Sequence, residues 1–225
     1  GATKSEQVSQ DYNPDYKEIF DCGPNIKIKH QFEEMSYYSK NIWPKEIPNF
    51  EKTVTSFYDS CSQIAISLLK NIEVSFNYSN NYFANKFNFP MALLRCNYYS
   101  ARPLNLSKKD FGVAPHTDYG CLTLLFTDGT EGLEIQRSSN KWVKVVAPKH
   151  EIIVNFGEML EIWSRNKIRA TTHKVLGTDK ERYSIPFFFN PQYDTLISDE
   201  LNIVAGEYLS KRYDTTYTHK INLTK

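Results

Sequence analysis

No stretch of the sequence reaches the roughly 18 consecutive apolar residues that a membrane-crossing helix needs. A membrane partner is therefore not expected. Neither sign of charge is in excess: 27 Lys and Arg against 26 Asp and Glu leave a net charge of +1. That leaves no basic footprint, so nucleic acid is not expected as a partner either. The four cysteines, Cys22, Cys61, Cys96 and Cys121, form no CxxC pair. Their scatter through 225 residues suits neither a zinc ribbon nor a disulfide framework. They read as reduced, mostly buried small side chains. The polar stretch Gly1–Gln10 lacks the apolar segment of a secretory signal. Together these point to a cytoplasmic setting. Sequons at Asn77, Asn105 and Asn222 are read as chance matches in an Asn-rich chain. There is no internal repeat and no low-complexity segment.

What the chain does have is aromatic residues: 15 Tyr, 14 Phe and 3 Trp. Tyr and Phe favour strands and concave pockets. Residues 1–49 read as an irregular wrap, broken by Pro14, Pro24, Pro44 and Pro48. Residues 50–76 carry Val54, Phe57, Tyr58, Cys61, Ile64, Ala65, Leu68, Leu69 and Ile72 at spacings of three and four. That pattern predicts one long helix with a core-facing stripe. From residue 91 the period changes. Short strands are predicted at Met91–Tyr99, Cys121–Phe126, Gly132–Gln136, Trp142–Val146, Glu151–Phe156, Met159–Trp163, His173–Leu176 and Tyr183–Phe189, followed by a helix at Ala205–Arg212. No helices alternate with these strands, so a doubly wound α/β fold is disfavoured. The expectation is a mainly β chain with flanking α: residues 1–90 form a partial N-terminal helical and wrapping region, and 91–225 form the β core, together one compact domain.

The chemistry concentrates in the β region. His116 and Asp118 stand two apart, and on a strand i and i+2 share a face. His173 opens a later strand and offers a third ligand. Two histidines and one carboxylate suit a non-haem Fe(II) site with open positions. A closed zinc site would want a fourth ligand, for which Cys121 is near in sequence. Arg182 and Ser184 share one face of a further strand. A guanidinium beside a hydroxyl is a good carboxylate receptor, though a structural salt bridge would use Arg182 equally well.

Several segments carry a resemblance in order: Leu94–Tyr99, His116–Asp118 with Leu122–Leu125, Gly132–Ile135 followed by Trp142, Val154–Glu158, Thr172–Val175 and Arg182–Phe188. In this order they resemble the iron- and 2-oxoglutarate-dependent dioxygenases of the isopenicillin N synthase-like group. The resemblance implies a double-stranded β-helix, or jelly roll. It implies that His116, Asp118 and His173 bind Fe(II) and that Arg182 and Ser184 hold the distal carboxylate of 2-oxoglutarate. Tyr99 would donate to the same co-substrate, with Asn97 in support. The implied activity couples 2-oxoglutarate decarboxylation to hydroxylation, desaturation or ring closure of a small organic substrate, using O₂ and with ascorbate as a reductant. A monomer is expected. Two alternatives stay open: an Fe(II) oxidase that uses no 2-oxoglutarate, and a jelly-roll binding protein without turnover. The chain departs from the pattern at Ser100 (usually Pro), Glu158 (usually Asp) and Lys174 (usually Arg), and its front is shorter than in family members. Phe187, Phe189, Leu124 and Phe126 are candidate pocket walls, although each reads more readily as ordinary core.

Overall fold

The computed structural model describes residues 6–8, 11–27, 29–102, 107, 110–148 and 150–217. Gly1–Ser5 and the sequons at Asn105 and Asn222 lie outside the described residues. The strands are β1 (Glu18–Cys22), β2 (Leu93–Tyr99), β3 (Val113–His116), β4 (Leu122–Thr127), β5 (Leu133–Gln136), β6 (Trp142–Lys144), β7 (Ile153–Phe156), β8 (His173–Val175), β9 (Arg182–Phe189), β10 (Leu196–Ser198) and β11 (Ile203–Val204). The helices are α1 (Phe50–Ser75), α2 (Glu158–Trp163) and α3 (Ala205–Thr216).

One sheet has the order β1-β2-β9-β4-β7 and a second has β3-β8-β5-β6. All pairings in both are antiparallel. This is the jelly roll, and its larger sheet has two faces with different duties. Leu122, Leu124, Phe187 and Phe189 point to one side and join the main core with Val54, Tyr58, Cys61, Ala65 and Leu69 of α1. The Tyr58 and Phe187 rings meet edge to face at 5.0 Å, and Phe57 meets Phe126 at 4.9 Å. The alternate residues, Thr123 and Leu125 of β4 and Ser184, Pro186 and Phe188 of β9, line a cavity on the other side. The period of two that makes a strand amphipathic here divides core from cavity. Phe187, Phe189, Leu124 and Phe126 are therefore core rather than pocket walls; their odd or even position settles it.

Two sequence expectations are corrected. Met159–Trp163 is not a strand but most of α2. Its apolar residues Met159, Leu160 and Trp163 bury together at helical spacing, and Glu158 and Glu161 suit a helix's first turn. The stretch before residue 50 is not wholly irregular, because Glu18–Cys22 forms edge strand β1 along β2. Its mixed exposure left no clean alternation to read. The long helix agrees with its predicted span, and the last helix runs further, to Thr216.

Candidate active site

β3 and β8 pair so that His116 and His173 are direct cross-strand neighbours, with ring centroids 4.3 Å apart. Strand β3 stops at His116, so Asp118 reaches the site from the turn that follows and not from the same strand face. That turn is seated on the start of α2. The Glu158 backbone N–H donates to the Asp118 carbonyl at 2.8 Å and Met159 N–H to the Gly120 carbonyl at 3.0 Å. The approach is so close that a Cβ on Gly157 would strike the carbonyls of Asp118 and Gly120. Buried Asn190 holds the turn's far end by accepting from Cys121 N–H at 2.8 Å.

His116, Asp118 and His173 are the one group of three or more His, Cys, Asp or Glu side chains among the described residues that could hold a metal ion. Asp118 Oδ1 lies 3.6 Å from His173 Nε2 and 4.0 Å from His116 Nε2. Each histidine has its other nitrogen committed. His116 Nδ1 is 2.7 Å from the Ala114 carbonyl, and His173 Nδ1 is 3.0 Å from the Thr171 carbonyl. A carbonyl only accepts, so Nδ1 donates its proton and Nε2 keeps a lone pair facing its partners. Burial, reinforced by the neighbouring His173, pushes His116 well below the ordinary imidazole range, which keeps its imidazole neutral. Asp118 Oδ2 is buried with no hydrogen-bond partner among the described residues. Two inward lone pairs and an unsatisfied carboxylate oxygen fit a divalent cation. Cys121 is buried in the main core and is not part of this group.

The same cavity, about 130 Å³, is also lined by Tyr99, Asn97, Arg182 and Ser184. The register of β2 with β9 puts Tyr99 opposite Arg182 and Asn97 opposite Ser184. Asn97 Nδ2 donates to Ser184 Oγ at 3.3 Å, and the Arg182 guanidinium sits 5.1 Å from the Tyr99 ring centre. Arg182 is buried, yet its Nε and Nη1 find no hydrogen-bond partner among the described residues. Buried guanidinium nitrogens without partners are costly, so the arrangement is that of a receptor for an anion. The geometry therefore brings all seven predicted site residues to one cavity.

Sequence reasoning missed other charged groups. Glu158 accepts from Thr117 Oγ1 inside the His116–Asp118 motif, from Tyr208 Oη at 2.5 Å and from Arg212 at 2.8 Å. It ties the turn to α3. Glu6, Lys17 and Arg95 also line the cavity. Arg95 could have been found, because it shares the parity of Asn97 and Tyr99 on β2.

Comparison with known proteins agrees with this geometry. The model of the 2OG-Fe(II) oxygenase superfamily matches residues 90–191, a span that contains all seven site residues. A 2-oxoglutarate-Fe(II) type oxidoreductase, ppzD, from Metarhizium majus is 34% identical over 169 residues, covering 70% of this chain and 48% of the relative. The proline hydroxylase buaE of Petromyces alliaceus is 32% identical over 196 residues, covering 81% of this chain and 59% of the relative. The chain thus spans about half the length of the first of these curated relatives. Among solved structures, a full-length Neurospora crassa protein in complex with alpha-KG and thymine superposes with a TM-score of 0.80 at 26% identity, over 96% of this chain and 73% of that one. With matching fold, matching residue span and a cavity suited to both a divalent cation and a carboxylate, the chain belongs to the 2OG-Fe(II) oxygenase superfamily.

Proposed function

We propose that the chain is the catalytic core of an Fe(II) oxygenase that consumes 2-oxoglutarate while oxidising a small organic substrate. In this reading His116, Asp118 and His173 hold the iron, and Arg182, Ser184, Tyr99 and Asn97 hold the co-substrate. Bound there, iron and 2-oxoglutarate supply the oxidising chemistry: O₂ is consumed, 2-oxoglutarate leaves as succinate and CO₂, and the substrate is hydroxylated or dehydrogenated. The chain's own residues bind and orient. Arg182 and Ser184 fix one end of the co-substrate by charge-assisted hydrogen bonds. The carbonyls of Ala114 and Thr171 hold the two imidazoles as Nδ1–H tautomers. Leu125, Leu133 and Val175 keep that end of the cavity apolar.

The observation that carries the reading is the buried Arg182, with two nitrogens that have no hydrogen-bond partner among the described residues, in the cavity that the His-Asp-His group lines. The test is 2-oxoglutarate binding to Arg182→Ala. A loss of roughly tenfold to a hundredfold in affinity is expected for removing such a charged contact. Unchanged affinity sinks the assigned role. Substrate-independent conversion of 2-oxoglutarate to succinate, with Fe(II) and ascorbate supplied, tests the activity itself.

The reading includes one compact domain, with 1–90 wrapping the 91–225 core. The shared core of α1 with β4 and β9 supports it. It also includes a monomer working in the cytoplasm; the four free cysteines suit that setting.

A further inference from the structure

A second set of charges lines the cavity and plays no part in the function proposed above. Arg95 lies on the cavity face of β2, about 13 Å along the strand from Tyr99. Lys17, just before β1, lines the same cavity, and both are buried. Each already has a carboxylate from its own neighbourhood. Asp21, the register partner of Arg95, accepts from Nε at 2.7 Å and Nη2 at 2.8 Å. Asp15 accepts from Lys17 at 3.0 Å.

A third carboxylate then spans both cations. Glu6 Oε1 is 2.6 Å from Arg95 Nη1, and Oε2 is 2.8 Å from Lys17 Nζ. Arg95 Nη2 also donates to Tyr217 Oη at 3.1 Å. Without Glu6 the group has two cations and two carboxylates and is neutral. With it, negative charge is in excess. Glu6 arrives on a separate segment, held mainly by backbone: a bridge to Tyr217, Gln7 N–H to the Thr216 carbonyl at 2.8 Å, and Asp15 N–H to the Glu6 carbonyl at 2.8 Å. A buried guanidinium and ammonium, each with its own counterion and each giving one more donor to a shared visiting carboxylate, form a built carboxylate receptor.

We infer that Arg95 and Lys17 form a second carboxylate subsite, for the acid group of an organic acid substrate, and that Glu6 occupies it as an internal stand-in. The inference rests on the proposed oxygenase function, because it places a primary substrate in the same cavity. An acid anchored at Arg95 and Lys17 extends its body into the space that His116, Asp118 and His173 line, while Arg182 stays available to the co-substrate.

Chemical rescue tests this without metal or turnover. Glu6→Ala is expected to lower Tm, and about 100 mM acetate to restore at least roughly half of the loss, by binding the folded state alone. Acetamide and chloride at the same concentration are expected to restore none. Recovery that is absent, or equal with acetamide, overturns the subsite. The recovery must survive in Glu6→Ala/Arg182→Ala; if it vanishes there, the anion sits at Arg182 and the assignment falls. Should Glu6→Ala not fold, Glu6→Ser vacates the same carboxylate position and is judged by the same outcomes. In the unaltered chain, acetate is expected to speed amide exchange at Gln7 by roughly threefold over acetamide as Glu6 yields. Equal rates overturn the displacement. Co-substrate binding is read separately through Arg182→Ala, so either idea can fail alone.

Discussion

At the scale of single residues, the site is a set of buried polar groups left without partners among the described residues. Asp118 keeps one oxygen unsatisfied in a buried position, and Arg182 keeps two nitrogens so. Folding tolerates such groups when a ligand completes them. Asp118→Ala is expected to lower Fe(II) affinity by roughly a hundredfold or more, because two imidazoles alone make a poor facial site. Metal analysis after equilibrium dialysis measures it, and full retention of iron would refute the ligand assignment. Arg182 and Ser184 were legible because a strand's period of two puts them on one face, whereas Asn97 and Tyr99 were legible only through the order of motifs that carries the family resemblance. Asp118 was legible by motif but not by geometry. It points inward from a turn held by α2, and nothing in a strand pattern reports where a turn aims. The Glu6 contacts were not legible, because ion pairs between segments far apart in sequence leave no local periodicity.

At the scale of elements, β9 and α2 do the positioning. Phe187 is fully buried between β9 and α1. Phe187→Ala is expected to cost about 3–5 kcal/mol of stability, from lost apolar burial and the cavity left behind. Urea unfolding followed by circular dichroism gives the number. The spacing of apolar residues showed the long helix, and short runs of β-type residues between turn signals showed most strands. The pattern failed at α2, where Met159–Trp163 is too short for periodicity to separate helix from strand. That error hid the element that seats Asp118. Gly157→Ala tests the seating. The added methyl meets the carbonyls of Asp118 and Gly120, so the turn must shift. Iron affinity is expected to fall at least roughly tenfold even in protein that remains folded. Wild-type affinity in a folded Gly157→Ala protein would show that α2 does not set the position of Asp118.

At the scale of the whole molecule, segments from opposite ends of the described chain meet over the cavity. Glu6 bridges to Tyr217 by backbone and pairs with Arg95 and Lys17 by side chain. Burial alone would raise the Glu6 carboxyl, but Lys17 and Arg95 outweigh it and hold the group down to about 2 from an ordinary 4.5. A carboxyl depressed by folding stabilises the fold above its unfolded pKa and loses that contribution as pH falls through the folded one. The Glu6 contribution, on the order of 3 kcal/mol, is thus present above about pH 4.5 and lost toward pH 2. Asp15, raised mainly by burial, runs the other way and offsets part of it in the intact chain. The advantage of wild type over Glu6→Gln isolates the Glu6 share. That advantage is expected to shrink across this window when urea midpoints are compared, and a constant gap would contradict the pairing.

The two-faced larger sheet carries a consequence for how the chain can change. Along β9, Arg182, Ser184, Pro186 and Phe188 face the cavity, while Phe187 and Phe189 between and beside them belong to the core with α1. Adjacent letters of the sequence therefore answer to separate constraints. Substitutions at even positions can retune what the cavity accepts with the core left intact, and those at Phe187 and Phe189 can be selected for sturdiness alone. Deleting one residue inside the strand would exchange the two sets at a stroke, so variation in β9 is open to replacement and closed to changes of length.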